Sequence, residues 1–140
     1  MDAKLGCAMQ ITKAESYGLL GVIYLARQER DRRVPLSEIA ESQEVPEKFL
    51  AKIFQYLTKT GIVRSHRGVK GGFTLMKDPG KLTIKDVLEA IQGPYHLIMC
   101  IPDRKSCQKS DGCPIRVVMK HAEDSLLEVF ASYTIGDMLN

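Results

Sequence analysis

The chain has 140 residues, a formal net charge of +3, 44% hydrophobic residues and 26% charged residues. These values are typical of one folded domain of ordinary size, and they exclude both a largely disordered chain and a pair of large domains. The first nine residues contain no apolar run with a cleavage site, and no apolar stretch reaches membrane-spanning length, so we expect a cytoplasmic protein.

The first predicted helix runs from Thr12 to about Arg27. The apolar residues that recur at the spacing of one helical face are Tyr17, Leu20, Gly21, Tyr24 and Leu25. The sequence Thr12-x-x-Glu15 matches a capping box, in which two side chains bond the free amides at the start of a helix. We expect the charged stretch from Gln28 to Arg33 to be a solvated loop.

A second and a third predicted helix are joined by a tight connector. The second runs from Ser37 to about Ser42, has Ser37 as its N-cap, and turns inward the residues Leu36, Ile39 and Ala40. The third has Pro46 as its first residue and stops at Gly61. Its predicted buried stripe is Phe49, Leu50, Ile53 and Leu57, and the residues off this stripe are Lys48, Ala51, Lys52, Gln55 and Lys59. Two short helices of this kind predict a helix-turn-helix whose exposed face enters the major groove of DNA.

Two short strands, Ile62 to Ser65 and Phe73 to Met76, are predicted to form a hairpin. The connection from His66 to Gly72 gives this hairpin, called the wing below, a basic and glycine-rich tip. Glycines let the backbone approach a phosphate, and an arginine at a hairpin tip fits the narrow minor groove. Between Val45 and Gly72 there are six lysines and arginines against one acid, Glu47, which favours nucleic-acid binding over a merely solvated surface. The wing residues predicted to contact DNA are Arg64, Ser65, Arg67 and Lys70.

Two more helices are predicted on either side of a polar segment. Thr83 caps the first of them, Gly93-Pro94 stops it, and its inward residues are Ile84, Val87, Leu88 and Ile91. Beyond the polar segment an apolar stripe extends over about five helical turns. We expect this long helix to pair two copies of the chain through Ile115, Val118, Met119, Ala122, Leu126, Val129 and Phe130. A short terminal helix is expected from Thr134 to Asn140.

The polar segment carries three of the four cysteines, Cys100, Cys107 and Cys113, at the spacing Cys-x6-Cys-x5-Cys. Thiolates suit zinc or an iron-sulfur cluster, and the neighbours of these cysteines are too polar for a core. In a reducing cytosol such cysteines indicate metal or redox chemistry rather than a disulfide framework. Cys7 better fits a small buried apolar side chain.

Other functions are compatible with the same residues. A structural zinc site would take its fourth ligand from His96 or His121, and a bare thiol switch would need no metal. An iron-sulfur electron carrier or a redox enzyme is disfavoured, because the chain has no Cys-x2-Cys pair and no recognisable catalytic set. A further alternative is an adaptor that binds a metabolic enzyme through the second half of the chain.

The motifs together resemble the IscR/NsrR/CymR-type family of bacterial winged-helix regulators from about Met9 to Leu139. The resemblance rests on Thr12-Lys13 with Tyr17, the stretch from Phe49 to Val63, the pattern Ser65-x-Arg67-Gly68-x-x-Gly71-Gly72-Phe73, the three clustered cysteines, and the ending Thr134 to Leu139. It implies a mainly α, winged helix-turn-helix fold with a small β-hairpin and a long C-terminal dimerisation helix. Residues 9–82 would form the DNA-binding region, and residues 83–140 would complete the same compact protomer. It also implies a homodimer that binds double-stranded operator DNA, is not an enzyme, and holds a 2Fe-2S or 4Fe-4S cluster at the three cysteines.

The chain departs from the family pattern at the fourth cluster ligand. Where IscR has a histidine three residues after the last cysteine, this chain has Arg116, which has no lone pair to donate. In relatives resembling NsrR, a carboxylate near the start of the partner's first helix completes the cluster. The aligned residue here is Ser16, so the candidate fourth ligands are Glu15, which competes with its capping role, and Cys7.

A second departure concerns the bases that are read. Ala51 and Lys52 stand where IscR has Glu and Gln, so we do not expect a shared operator sequence. Within the same fold, the alternatives to a cluster sensor are a zinc site, a thiol switch and a cluster-free regulator of cysteine metabolism.

Overall fold

The computed structural model describes residues 11–97 and 113–139, so Cys7, Cys100 and Cys107 lie outside the described residues. The elements in chain order are the helices α1 Lys13–Ala26, α2 Leu36–Gln43 and α3 Glu47–Lys59, the strands β1 Val63–His66 and β2 Gly72–Leu75, the helices α4 Ile84–Gln92 and α5 Pro114–Ser132, and a 3-10 turn Gly136–Met138. The predicted fold class, mainly helical with a winged helix-turn-helix, is confirmed. The predicted boundaries of the five helices and two strands are right to within one or two residues, while the predicted terminal helix is reduced to the 3-10 turn.

The capping box predicted at the start of α1 is present. Thr12 Oγ1 accepts a hydrogen bond from the Glu15 amide at 3.1 Å, and Glu15 Oε1 accepts one from the Thr12 amide at 3.3 Å. The helix packs closely on α3 at Gly21, which has no side chain. A Cβ at this position would lie 2.8 Å from Cε1 of Phe54. Leu20, predicted on the inward face, is 38% exposed, since the buried face of α1 is centred on its glycines and Val22.

The helix-turn-helix is present, but both of its predicted starts are corrected. The N-cap of α2 is Pro35 and not Ser37, and the N-cap of α3 is Pro46, which precedes the first helical residue. Each proline has an extended ψ and so ends the preceding segment before the helix begins. Between the helices Glu44 takes a left-handed conformation with φ 55°, which lets the Val45 amide bond the Ala40 carbonyl at 2.9 Å.

The core face of α3 is shifted from the predicted stripe. Leu50, Ile53, Phe54 and Leu57 are its buried residues, whereas Phe49 is 39% exposed. Phe54 is fully buried and meets Phe73 of the wing edge to face, with ring centroids 4.9 Å apart. Phe49 instead packs its edge on Tyr17 at the rim of the core. These contacts join α3 to α1 and to the wing.

The sheet contains more than the predicted hairpin. β1 and β2 pair antiparallel, with Arg64 opposite Thr74 and Ser65 opposite Phe73. On the other side of β2, Val34 exchanges two backbone hydrogen bonds with Phe73, at 3.0 and 2.8 Å. The extended segment at Val34 therefore pairs with β2 at a single bridge beside the two-stranded sheet, and we call this segment the third strand of the wing.

The last two helices close the protomer. Thr83 and Asp86 form a capping box for α4, and Gly93, with φ 79°, is its C-cap, as predicted. The buried side chains of α4 belong to the same core as those of α1 and α3. The long helix α5 buries only Glu123, and the segment after it is tied back by a bond from the Ile135 amide to the Leu82 carbonyl at 2.8 Å. No helix of the described residues is long and apolar enough to cross a membrane.

Candidate functional site

The tip of the wing is shaped by two glycines that leave no room for a side chain. A Cβ at Gly71 would collide with the backbone carbonyl of His66, and one at Gly72, where φ is 148°, would lie 2.5 Å from the Val34 carbonyl oxygen. The Gly71 amide also bonds the Gly68 carbonyl at 2.9 Å, which closes the tip. This compact turn holds Arg67 and Lys70 at the end of the hairpin, where both are exposed.

The structure brings three of the predicted DNA-contacting residues of α3 and of the wing together at one groove. A shallow groove runs between the two elements and is lined by Ala51 and Gln55 from α3 and by Ser65 from β1. Ala51 is half-buried, and the exposed members of the set are Lys48, Lys52, Gln55, Arg64, Ser65, Arg67 and Lys70. We call this set the α3-wing surface.

Among residues 11–97 and 113–139, no ion pair neutralises the positive charges of the α3-wing surface. In the described part of the chain, ion pairs involve Arg32, Lys85, Lys120 and His96, and none involves a basic residue of the α3-wing surface. Cations that make no internal pair remain available to a polyanion, and their clustering on one surface is the usual feature of a nucleic-acid interface.

Two residues that the sequence did not predict to contact DNA, His66 and Arg33, lie beside the α3-wing surface. His66 Nε2 is 2.9 Å from Thr74 Oγ1 across the hairpin. Partial burial lowers the pKa of His66, and the positive charges of Arg33 and Arg64 lower that pKa further. Arg33 was assigned to a solvated loop, because its place beside the wing depends on the pairing of Val34 with Phe73, which no local sequence pattern indicates.

Some of the residues predicted to form the dimer seam on α5 face their own protomer, and the others are exposed. Met119, Leu126 and Phe130 are half-buried, and Phe130 meets Tyr95 of the same protomer edge to face. Ile115, Val118 and Val129 are 61%, 62% and 50% exposed, and Ala122 is also exposed. The exposed members form an apolar flank that the described residues leave uncovered.

The described part of the cysteine site is Cys113, which is the half-buried N-cap of α5 and precedes Pro114 at the first helical position. A helix N-terminus favours a thiolate, because the amide dipoles there present partial positive charge. Within residues 11–97 and 113–139 there is no group of three metal-binding side chains. Of the candidate fourth ligands, Glu15 is 1% exposed and uses Oε1 in its capping box, while Oε2 has no hydrogen-bond partner.

A buried carboxylate on α5 holds the residues that precede the polar segment. Glu123 is 1% exposed, and its Oε1 accepts hydrogen bonds from the Leu97 amide at 3.1 Å and from His96 Nδ1 at 2.9 Å. Lys120 Nζ lies 3.5 Å from Glu123 Oε2. Because a carboxylate can only accept, Nδ1 of His96 is the donor in this hydrogen bond, which leaves Nε2 as the ring nitrogen that does not contact Glu123. No local sequence pattern indicates this contact, because His96 and Glu123 are 27 residues apart.

Several known proteins are similar to this chain. A family model described as Rrf2, iron-dependent transcriptional regulator, matches residues 11–140. An HTH-type transcriptional regulator of Aquifex aeolicus (strain VF5) is 35% identical over 126 residues, which cover 89% of this chain and 87% of that protein. The HTH-type transcriptional regulator IscR of Cronobacter sakazakii is 28% identical over 132 residues, which cover 94% of this chain and 81% of that protein. The structure of CymR, the global cysteine regulator of B. subtilis, superposes with a TM-score of 0.76 at 26% identity and covers 94% of this chain and 96% of that chain.

Proposed function

Because this chain belongs to the Rrf2 family of iron-dependent transcriptional regulators, we propose that it is a homodimeric operator-binding protein whose DNA affinity follows the state of an iron-sulfur cluster. The cluster would be held by Cys100, Cys107 and Cys113. The chain is a DNA-binding transcription regulator and not an enzyme. The observation that carries the proposal is the α3-wing surface, whose exposed basic side chains make no ion pair among the described residues and whose Ala51, Gln55 and Ser65 line one groove between α3 and β1.

The two parts of the α3-wing surface have different roles in this proposal. Lys48, Ala51, Lys52 and Gln55 of α3 would face base edges in the major groove, where such side chains meet distinct donor and acceptor patterns. Arg64, Ser65 and Lys70 would hold phosphates, and Arg67 at the tip would enter the minor groove, where a narrow groove concentrates negative potential. The exposed apolar flank of α5 would pair two protomers, so that two α3-wing surfaces meet half-sites about one helical turn apart.

The cysteine site fits an iron-sulfur cluster, because its three cysteines supply the thiolate ligands that iron prefers. One of the three, Cys113, lies at the N-terminus of α5. When bound, a cluster supplies a centre that oxidation or nitric oxide alters. Cys113 would place one ligand at the start of the helix that carries the exposed apolar flank.

The fourth ligand is better supplied by His96 than by Glu15. Glu123 fixes the His96 ring with Nδ1 as donor, and ligating histidines usually donate their second nitrogen to a carboxylate in this way. Glu15 would have to leave a capping box and a buried position. Cys7 lies outside the described residues, and His121 is exposed on α5.

The same ligand set favours zinc as the second candidate. Three thiolates and one imidazole complete the tetrahedron of a structural zinc site. A cluster-free regulator of cysteine metabolism is the other alternative, supported by the likeness to CymR.

Anaerobic purification separates these candidates. We expect a brown protein with iron and sulfide, and Mössbauer spectra would decide between 2Fe-2S and 4Fe-4S. Zinc without sulfide would show a structural zinc site in place of the cluster. A metal-free protein that still binds operator DNA would favour the cluster-free regulator. Replacement of Cys107 by Ala should abolish the cluster and leave a folded dimer.

The fourth ligand is tested with His96→Ala, Glu15→Ala, Cys7→Ser and His121→Ala prepared anaerobically. Replacement of the true ligand should shift the charge-transfer bands and speed cluster loss. If Glu15→Ala lowers the free energy of unfolding by about 1 kcal/mol and leaves the spectrum unchanged, Glu15 has only a capping role. An unchanged spectrum for His96→Ala would remove His96 from the cluster.

A further inference from the structure

The outer face of the wing carries a row of side chains, and the last of them comes from the segment at Val34 that we call the third strand. Arg64 lies opposite Thr74 in the β1-β2 ladder, and Val34 lies opposite Phe73 on the other side of β2. In the same antiparallel register, Arg33 falls opposite Thr74. Residues opposite each other share one face of a sheet, so Arg33, Thr74 and Arg64 form a continuous row across three strands.

The two faces of this sheet have opposite character. The inner face packs on the core through Val63 and Val34, which are 2% and 0% exposed, and through Phe73 against Phe54. The outer face also carries His66, which lies two residues after Arg64 on β1. Its Nε2 is 2.9 Å from Thr74 Oγ1. Side-chain alternation therefore turns two arginines and a histidine away from the core.

The described residues do not balance the charge of the outer face. Arg32, next to Arg33 in sequence, pairs with Glu38 at 2.9 Å, but no ion pair of the described residues involves Arg33 or Arg64. The groups that face His66 are Thr74 from β2, Arg64 from β1 and Arg33 from the third strand. The lowered pKa of His66 reflects its partial burial together with these two uncompensated guanidinium charges.

We infer that the contact with the DNA backbone extends from Arg64 across the outer face of the wing, where Arg33 joins Arg64 in binding a phosphate and His66 adds a third donor. The inference rests on the proposed operator binding. Duplex phosphate is the occupant because the outer face carries the guanidinium groups of Arg33 and Arg64 and adjoins the tip residues Arg67 and Lys70 on the same hairpin. Arg33 thus belongs to the interface although it lies outside both α3 and the hairpin.

This arrangement couples DNA binding to a proton. A phosphate between Arg33 and Arg64 neutralises the field that disfavours the imidazolium, so the pKa of His66 is higher in the complex than in the free protein. Binding then takes up a proton, and the affinity for DNA rises as the pH falls through the range in which the free protein has neutral His66.

The decisive measurement is the salt dependence of operator binding for Arg33→Ala and for a control, Lys81→Ala. Lys81 is exposed, makes no ion pair among the described residues, and adjoins Leu82, which is bonded to the C-terminal segment. Loss of one phosphate contact should reduce the slope of log affinity against log salt by about 0.9 for Arg33→Ala. The slope should be unchanged for Lys81→Ala and restored in Arg33→Lys. Arg33→Gln, which keeps most of the side chain's length without its charge, should match Arg33→Ala and exclude a folding effect.

The outcomes separate this inference from the proposed function. If the unaltered protein shows no salt-dependent binding to any duplex, the regulator proposal fails. If it binds duplex DNA but Arg33→Ala keeps the slope of Lys81→Ala, the outer face is not an interface and the regulator proposal stands. For the histidine, the affinity of the unaltered protein should rise severalfold between about pH 7.5 and pH 5.5, and His66→Gln should abolish this rise. A pH-independent affinity in the unaltered protein would remove His66 from the contact.

Discussion

Glu38 is a surface carboxylate that ties the first two helices together. Its Oε1 accepts a hydrogen bond from the Tyr24 hydroxyl at 2.7 Å, and its Oε2 pairs with Arg32 at 2.9 Å. The bond with Arg32, and then that with Tyr24, lowers the pKa of Glu38, while the same carboxylate raises the pKa of Tyr24. The position of α2 against α1 therefore depends on the charge of one side chain.

This charge predicts how stability changes in acid. The pKa of Glu38 is lower in the folded than in the unfolded state, so its stabilisation is fully present above the unfolded value of about 4.3 and is lost as the pH falls through the lowered folded value. Because both partners are partly exposed, we expect only about 0.2 to 1 kcal/mol. Urea unfolding between about pH 3 and pH 6 should show this loss, and Glu38→Gln should not show it. The control Glu41→Gln, on the exposed side of α2, should behave like the unaltered protein; a control that also lost the effect would contradict the assignment to Glu38.

Glu123 supports a second residue-scale prediction. Replacing it with Ala leaves the Leu97 amide without its acceptor, which should lower the free energy of unfolding by on the order of 1–3 kcal/mol. Glu123→Gln keeps an acceptor and should lose less. Asp124→Ala, which removes a neighbouring carboxylate that is 60% exposed, should change stability by less than about 0.5 kcal/mol. Chemical denaturation of the metal-free protein measures all three, and equal losses in Glu123→Ala and Asp124→Ala would contradict the role of Glu123.

At the scale of single elements, the sequence predicts what is decided locally. The capping residues Thr12, Thr83 and Gly93 locate helix ends because a cap depends only on residues within one turn. Phe54 was missed because Phe49 and Phe54 flank the same apolar stripe, and which flank is buried depends on where α1 and the wing pack. The third strand at Val34 was missed for a similar reason, since its partner lies 39 positions away.

Gly72 gives a prediction for the wing as an element. In Gly72→Ala the new Cβ would meet the Val34 carbonyl at a φ that side chains rarely adopt, so we expect a loss of about 1–3 kcal/mol and weaker DNA binding. Hydrogen exchange at the Val34 and Phe73 amides should become faster, while the helical signal in circular dichroism stays the same. In the control Gly80→Ala the Cβ would make an ordinary contact with Asp78 Oδ1 at 3.4 Å. Unchanged exchange at Val34 in Gly72→Ala would show that the third strand tolerates the side chain.

At the scale of the whole molecule, α5 is long but contributes little to the core of its own protomer. Its single buried residue is a carboxylate, and its exposed apolar flank is continuous over several turns. The apolar stripe was predictable from sequence, whereas its division was not, because the side that packs on the protomer is set by Tyr95 and by the contacts of Glu123. The α3-wing surface was predictable, since its charges are close together in the sequence. Of the cysteine site, the described residues include only Cys113.

The apolar flank predicts the oligomeric state. Val118→Asp would place an unpaired carboxylate in the dimer interface, and since that costs several kcal/mol we expect dimerisation to weaken by more than about tenfold. Val117 is 65% exposed, similar to Val118, but with about 100° of rotation per residue it lies on the side of α5 away from the predicted stripe. Val117→Asp should therefore remain a dimer in sedimentation equilibrium. Equal dissociation of both variants, or of neither, would show that the flank is not the seam.

The bonds that join residues 82–84 to residues 133–135 also bear on the order of folding. They connect parts of the chain that are about fifty residues apart, so the entropy of closing that loop is lost before these contacts stabilise the protomer. The helices and hairpin of the winged part make contacts over much shorter separations. We therefore expect a nascent chain to complete the α3-wing surface first and to fix α5 only after residues 133–135 have been synthesised, so that each protomer forms its proposed DNA-binding surface before its proposed dimer surface.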